Sequence, residues 1–316
     1  MPAFSASAPG KVILFGEHAV VYQRPALAAP VFKTRTKVTV QANLHGQPDE
    51  ILLDAPDIGL KTIMERLPLD NPLVIAINGV KNHLQIRTLP AMHIRITSSI
   101  PVAAGLGSGA AVSVALVRAL SGYLGHPLNE ADTNTLAYEV EKRLHGTPSG
   151  IDNTVITYAR PVWFIREQPF ELINIAKPLH LVIAHSGISA PTKKVVADVR
   201  QQWEKAPAKY EVLFDSIADL TRTARQAIET GNTAQLGNMM NQNHLHLAEI
   251  GVSCPELDRL VAAAIASGAT GAKLSGGGRG GNMIALVTPE TAATVAEALT
   301  RAGAIRTIIT TLQNPE

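Results

Sequence analysis

The chain has 316 residues, 46% hydrophobic and 17% charged. That balance excludes a disordered or fibrous protein and leaves room for about two folded domains. Its 28 Lys and Arg stand against 26 Asp and Glu, a net charge of +2, which supplies no basic face for nucleic acid or an anionic membrane. Cys254 is the sole cysteine, so an intrachain disulfide and a cysteine-based zinc site are both excluded.

Residues Met1 to Lys11 contain no basic segment leading into an apolar run of signal-peptide length. The longest weakly polar stretch, Val102 to Val117, holds three glycines and falls short of the roughly 18–20 apolar residues of a membrane span. A cytoplasmic protein is expected. Thr36–Val40 and Met92–Ile96 alternate with period two, as half-buried strands do. Asn71-Pro72 reads as an N-cap and first-turn proline for a helix toward Leu84. Further helices are expected from Ser108 to Leu124 and from the cap Asn129 to Leu144. Beyond a boundary placed near Lys177 the pattern predicts strands at Leu179–Ala184, Asn282–Val287 and Ile305–Thr311. Helices are predicted at Thr192–Glu204, Tyr210–Glu229, Thr233–Ile250, Pro255–Ser267 and Pro289–Ala302. The expected domains are therefore residues 1–176 and 177–316.

Four segments carry chemistry-bearing residues. Pro9–Tyr22 sets Lys11 at the start of a short apolar strand and Glu17-His18 after its end, which reads equally as a site or as charges flanking an edge strand. Pro101–Ala111 is a glycine-rich run entering an apolar helix. Its backbone N–H groups and the helix start suit an anion, most naturally phosphate. It is neither a Walker loop nor a convincing dinucleotide fingerprint, because no acidic residue follows about 20 positions later. Glu141, at the end of a helix, and Asp152, on the loop shaped by Pro148 and Gly150, lie eleven residues apart. They could share a site, one binding metal and one taking a proton, or be solvated charges. Lys273–Gly281 packs five glycines into six positions, which implies close backbone packing or a ligand. His244 and His246 point about 200° apart on a helix and are read as surface or core rather than metal ligands.

Together these segments resemble the GHMP kinases over nearly the whole chain. The run Pro101, Val102, Ala103, Ala104, Gly105, Leu106, Gly107, Ser108, Gly109, Ala110 and Ala111 is similar to the family's ATP-binding motif, and Lys273–Gly281 to its C-terminal glycine-rich motif. Gly16–Tyr22, His145–Asn153 and Pro191-Thr192-Lys193 are similar to the branch whose acceptor is mevalonate. Branches acting on galactose carry Thr-Asp-Tyr where this chain has Ala19-Val20-Val21.

The resemblance implies an α+β GHMP kinase fold: an N-terminal domain like ribosomal protein S5 domain 2 and a C-terminal ferredoxin-like α/β sandwich, with the active site in the cleft between them. It implies γ-phosphoryl transfer from ATP to the primary hydroxyl of mevalonate with Mg²⁺. Asp152 and Lys11 would be catalytic, Glu141 and Ser108 would ligate the metal, and Glu17, His18, Ser149 and Thr192 would line the acceptor site. A homodimer is expected on the same ground. Retention of Lys11, Glu141 and Asp152 disfavours a degenerate binding protein of this fold. Two departures stand out. Gly109 occupies the place of the motif's second serine, and Arg279 that of a usual glycine.

Overall fold

The computed structural model describes residues 3–101, 105–145, 148–189 and 191–314. The chain divides into two units, one of Met1–Gly10, Thr34–Val102 and Gly107–Ala159, the other of Lys11–Lys33, Ala103–Leu106 and Arg160–Glu316. Two long strands, β1 (Ala3–Phe15) and β2 (Ala26–Ala42), pair with each other and run through both.

In the first unit, β3 (Ile51–Ala55) pairs in antiparallel fashion with β4 (Leu60–Ile63). It lies parallel to β5 (Met92–Ser98), with Ile51 opposite Met92. The second half of β2 adds antiparallel to β5, with Thr36 opposite Ser98. The crossover from β4 to β5 is α1 (Pro72–His83), and it starts where the sequence predicts. The Asn71 side chain accepts the Leu73 N–H at 3.0 Å, and Pro72 fills the first helical position.

Helices α2 (Ser108–Tyr123), α3 (Glu130–His145) and α4 (Ile151–Tyr158) complete this unit. Small and apolar residues lie all around α2, and Ala110, Ala111, Val114, Leu116, Val117 and Leu120 are buried. A helix apolar on every side needs partners on every side, and α2 packs against α1, α3 and α4. Asn129 caps α3, its Oδ1 accepting the Asp132 N–H at 2.8 Å. Gly146, the expected stop of α3, lies outside the described residues.

In the second unit the start of β2 pairs with β6 (Val162–Phe164), which pairs with the short β7 (Glu171–Leu172). A separate antiparallel sheet contains β8 (Leu179–His185), β9 (Gly271–Ser275), β10 (Asn282–Val287) and β11 (Arg306–Leu312) in the order β11-β8-β10-β9. Between β8 and β9 run α5 (Thr192–Lys205), α6 (Pro207–Thr230), α7 (Leu236–Ile250) and α8 (Pro255–Ala266), and α9 (Ala292–Arg301) joins β10 to β11. This is the β-α-β-β-α-β plan of a ferredoxin-like sandwich, as expected. The core lies between sheet and helices, where Val182, Phe214, Leu257, Leu274 and Leu299 are fully or almost fully buried.

Several elements differ from the sequence expectation, and Lys11 lies inside the 13-residue β1 rather than at the start of a short strand. Asp152 lies in the first turn of α4 rather than on a loop, because the chain turns helical directly after Gly150 and the Thr154 hydroxyl donates to the Gly150 carbonyl at 2.7 Å. Helix α9 begins at Ala292 instead of Pro289, although the Ala292 N–H already donates to Thr288 O at 3.1 Å. The residues between form a turn closed by the Thr291 hydroxyl, which accepts the Thr288 N–H at 3.1 Å. No helix among the described residues is long and apolar enough to cross a membrane.

Candidate active site

The glycine-rich entry to α2 has the form an anion requires. Gly107 holds the N-cap position in the left-handed conformation, φ 74°, and lacks a side chain to cap the first turn. The amides there remain available to a ligand. Upstream in the same loop, the Leu106 carbonyl accepts the Lys11 N–H at 3.0 Å. A Cβ at Gly105 would lie 3.9 Å from the Ser275 carbonyl oxygen and 3.8 Å from Asn282 Nδ2. The N-terminal glycine loop and the C-terminal glycine-rich segment, 170 residues apart in sequence, thus approach each other at Gly105. Val102, Ala103 and Ala104 of the motif lie outside the described residues.

Within the first unit, Glu141 is 6% exposed. Its Oε1 lies 3.6 Å from where a Cβ of Gly109 would stand. A buried carboxylate at the first turn of α2 puts a hard oxygen donor beside the glycine-rich helix start. Ser108 opens that turn, and Asp152 sits half-buried in the first turn of α4. Ser149 precedes α4, and its hydroxyl accepts the Ile151 N–H at 3.4 Å.

Within the second unit, β1 ends in a segment folded into that unit's core through Ala19. Lys11, on β1, is 4% exposed. Glu17 is 1% exposed, and its carboxylate pairs with the fully buried Lys273 on β9. Asn243 on α7 donates to it through Nδ2 at 3.3 Å. Lys273 also donates to its neighbour's carbonyl, Leu274 O, at 2.7 Å. Burial pushes the Lys273 ammonium below the usual lysine range, against the pull of Glu17.

His18 follows, at φ 61° and ψ −46°. That backbone is sparsely populated for a residue with a side chain, and strain of this kind gathers at functional sites. Its Nε2 lies 2.9 Å from Gly277 O. A carbonyl only accepts, so Nε2 carries the hydrogen. Burial lowers the imidazole to about 4, with the bond to Gly277 opposing and the Arg279 charge reinforcing the shift. The ring is therefore neutral near pH 7, and its Nδ1 is a hydrogen-bond acceptor.

Thr192, the first residue of α5, reaches the same loop. A Cβ at Gly277 would stand 2.9 Å from its Oγ1. His18, in the unit's first segment, and Thr192, on α5, thus meet at one glycine. Beyond them the segment is anchored to α6. Tyr22 stacks on Phe214 at 4.2 Å between centroids, and Arg24 bonds Glu211 at 2.5 Å and Asp215 at 2.8 Å.

Three partners of the expected residues went unforeseen. Lys273 registered in the sequence only as the edge of a glycine run. Asn243 is, with His244, a polar residue in a mostly apolar buried stripe of α7, and that was its only signal. Asp258, whose Oδ1 lies 3.2 Å from His244 Nε2, gave none, while His244 itself is buried, its Nδ1 accepting the Leu274 N–H at 3.3 Å.

Residues 71–160 match the GHMP kinases N terminal domain and residues 224–305 the GHMP kinases C terminal domain. The chain is 36% identical to a mevalonate kinase of Pyrococcus horikoshii over 318 residues, covering 95% of this chain and 93% of that one. It superposes on a solved L. major mevalonate kinase in complex with R-mevalonate with a TM-score of 0.85 at 31% identity, over 98% of this chain and 96% of the other. The Methanococcus jannaschii mevalonate kinase gives a TM-score of 0.87 at 27% identity, covering 99% of each. The chain belongs to the mevalonate kinase family of the GHMP kinases.

Proposed function

We propose that this protein transfers the γ-phosphoryl group of ATP to the primary hydroxyl of (R)-mevalonate, giving 5-phosphomevalonate and ADP for isoprenoid biosynthesis. The observation that carries the reading is the meeting of His18 and Thr192 at Gly277, because these two belong to the segments that separate the mevalonate branch from its relatives.

Phosphoryl transfer asks a protein mainly for positioning and for neutralisation of charge. The amides at the start of α2 hold the phosphates. Mg²⁺ fits this chain: Glu141 supplies a buried hard oxygen, and Gly109 beside it keeps that space clear of a side chain. Among the described residues there is no cluster of three His, Cys, Asp or Glu, and Mg²⁺ does not require one, since it keeps waters and takes phosphate oxygens. When bound, the ion neutralises charge on the transferring phosphates. Glu141 and Ser108 are its protein ligands in this reading.

Asp152 accepts the proton of the mevalonate hydroxyl as its oxygen forms the bond to the γ-phosphorus and the bond to the β-phosphate oxygen breaks. Lys11 favours the ionised hydroxyl. The neutral His18 offers Nδ1 to a substrate hydroxyl, and Thr192 and Ser149 offer theirs. Glu17 supports the acceptor side from beneath, through the backbone it shares with His18. A cytoplasmic location is proposed from the single cysteine, Cys254, which suits a reducing compartment. A homodimer is proposed from the family resemblance, and light scattering checks it. The decisive assay is ADP release with mevalonate, phosphomevalonate, homoserine and galactose, each with MgATP. Mevalonate is expected to give the highest kcat/KM, and another best acceptor overturns the reading.

A further inference from the structure

We propose that Arg279 and Asp198 form a latch that holds the C-terminal glycine-rich segment against α5 and thereby sets the affinity for the acceptor substrate. The proposal rests on the reading of His18 and Thr192 as acceptor-side residues.

Arg279 stands in the middle of the segment at φ 53°, a left-handed conformation that favours glycine. Its flanking residues have no choice. A Cβ at Gly278 would lie 2.1 Å from Val252 O, and one at Gly280 2.6 Å from Ile188 O. Glycine would suit the backbone of Arg279 better than any residue with a side chain, so the side chain needs a reason to be there.

Two side-chain bonds supply it, beside a backbone bond that glycine would keep. The backbone N–H donates to Val252 O at 2.7 Å and Nε to Gly251 O at 3.1 Å, at the C-terminal end of α7. A guanidinium is favourable against the carbonyls of a helix end. The third bond runs from Nη1 to Asp198 Oδ2 on α5, at 2.5 Å. The Arg279 charge thus turns toward two helices of its own unit.

Helix α5 consequently meets the glycine-rich segment twice. Asp198 holds Arg279, and Thr192, six residues earlier, sits on Gly277. Gly277 also receives His18. Fixing Arg279 to α5 fixes the distance between the Thr192 hydroxyl and the backbone that orients His18. Arg279 and Asp198 are positioning residues. An ion pair a third exposed on each side contributes modestly, which suits tuning of affinity rather than an all-or-none effect.

The test uses Arg279→Gly, Asp198→Asn and the double variant. The expected result is a KM for mevalonate raised about 5-fold in Arg279→Gly, with kcat and the KM for ATP within about 2-fold. The double variant should be no worse than Arg279→Gly alone, since both substitutions break one contact. Thermal midpoints should stay close to the parent's, because glycine suits φ 53°. An unchanged mevalonate KM, or effects that multiply in the double variant, overturns the latch. So does a lowered midpoint with an unchanged KM, which is what a merely structural tie would give. If the parent prefers another acceptor, the functional reading falls by itself. The latch is then decided by amide exchange across residues 275–283 of Asp198→Asn, where faster exchange supports it and parent-like exchange sinks it.

Discussion

The imidazole of His18 donates through Nε2 to the carbonyl of Gly277, 2.9 Å away and 259 residues further along the chain. Burial holds this ring neutral, with its pKa lowered from 6.5 to about 4. An unfolded chain takes up the proton near pH 6.5 and the folded one only near 4. Unfolding therefore gains a proton in that window, and stability falls as pH drops through it, by about 3 kcal/mol in full. Urea unfolding between pH 4 and 8 should show a shallower acid loss for His18→Gln than for the parent. His185 and His244 are also lowered by burial, so the difference between the two curves, rather than either slope, isolates His18. Parallel curves would mean that His18 takes up its proton at the same pH in the folded and the unfolded chain.

Beside it, Glu17 and Lys273 form an ion pair with both side chains fully buried. Removing one charge strands the other, which costs about 3–5 kcal/mol, whereas replacing both by apolar groups is often neutral. Glu17→Gln should therefore unfold at markedly lower urea, and adding Lys273→Met should recover much of the loss. If Glu17→Gln alone is within about 1 kcal/mol of the parent, the pair does not anchor the segment that carries His18.

These partnerships show where sequence reading stops. Period-two alternation located β5 and part of β2, and Asn71-Pro72 and Asn129 marked the starts of α1 and α3, because those signals are local. The short β7 and the helical state of Asp152 escaped, since two residues show no period and the turn at Gly150 reads equally as loop. Glu17, His18 and Thr192 were visible as motif residues. Their convergence on Lys273 and Gly277 was not, because contacts across some 80 to 260 positions leave no mark on neighbouring residues. Arg279 was visible only as a departure from a glycine pattern, and its direction came from the fold.

Asp152→Asn keeps the shape of the side chain in the first turn of α4 and removes its capacity to take a proton. A kcat loss of roughly 10²-fold or more is expected, with the KM for ATP little changed. Stopped assays under saturating MgATP measure it. A kcat near the parent's would mean that the hydroxyl proton leaves to solvent or late in the reaction.

Glu141→Gln replaces a buried anionic donor by a neutral one of the same size. The Mg²⁺ concentration giving half-maximal rate should rise several-fold, with part of the activity returning at high Mg²⁺. Magnesium titrations of the variant and parent that overlay would make Glu141 an ordinary helix residue.

Ser108 is the single hydroxyl in the loop from Gly105 to Ala111, since Gly109 stands where a second serine is usual. Ser108→Ala should lower kcat on the order of 10-fold, because no neighbouring hydroxyl replaces it at the metal. The reverse change is open to the fold. A Cβ at Gly109 would meet Glu141 Oε1 at 3.6 Å, an ordinary contact, and the position is helical, so serine gains about 0.5 kcal/mol of helix propensity over glycine. Gly109→Ser should therefore fold at least as stably as the parent and keep its kcat. Its hydroxyl, within reach of Glu141, should lower the Mg²⁺ concentration for half-maximal rate. The double variant Ser108→Ala, Gly109→Ser then asks whether one hydroxyl serves as well as the other. Recovery of most of the lost kcat would show that the loop needs a single hydroxyl at the metal from either position. A Ser108→Ala protein indistinguishable from the parent across the Mg²⁺ titration would instead leave the backbone amides of this loop as its whole contribution.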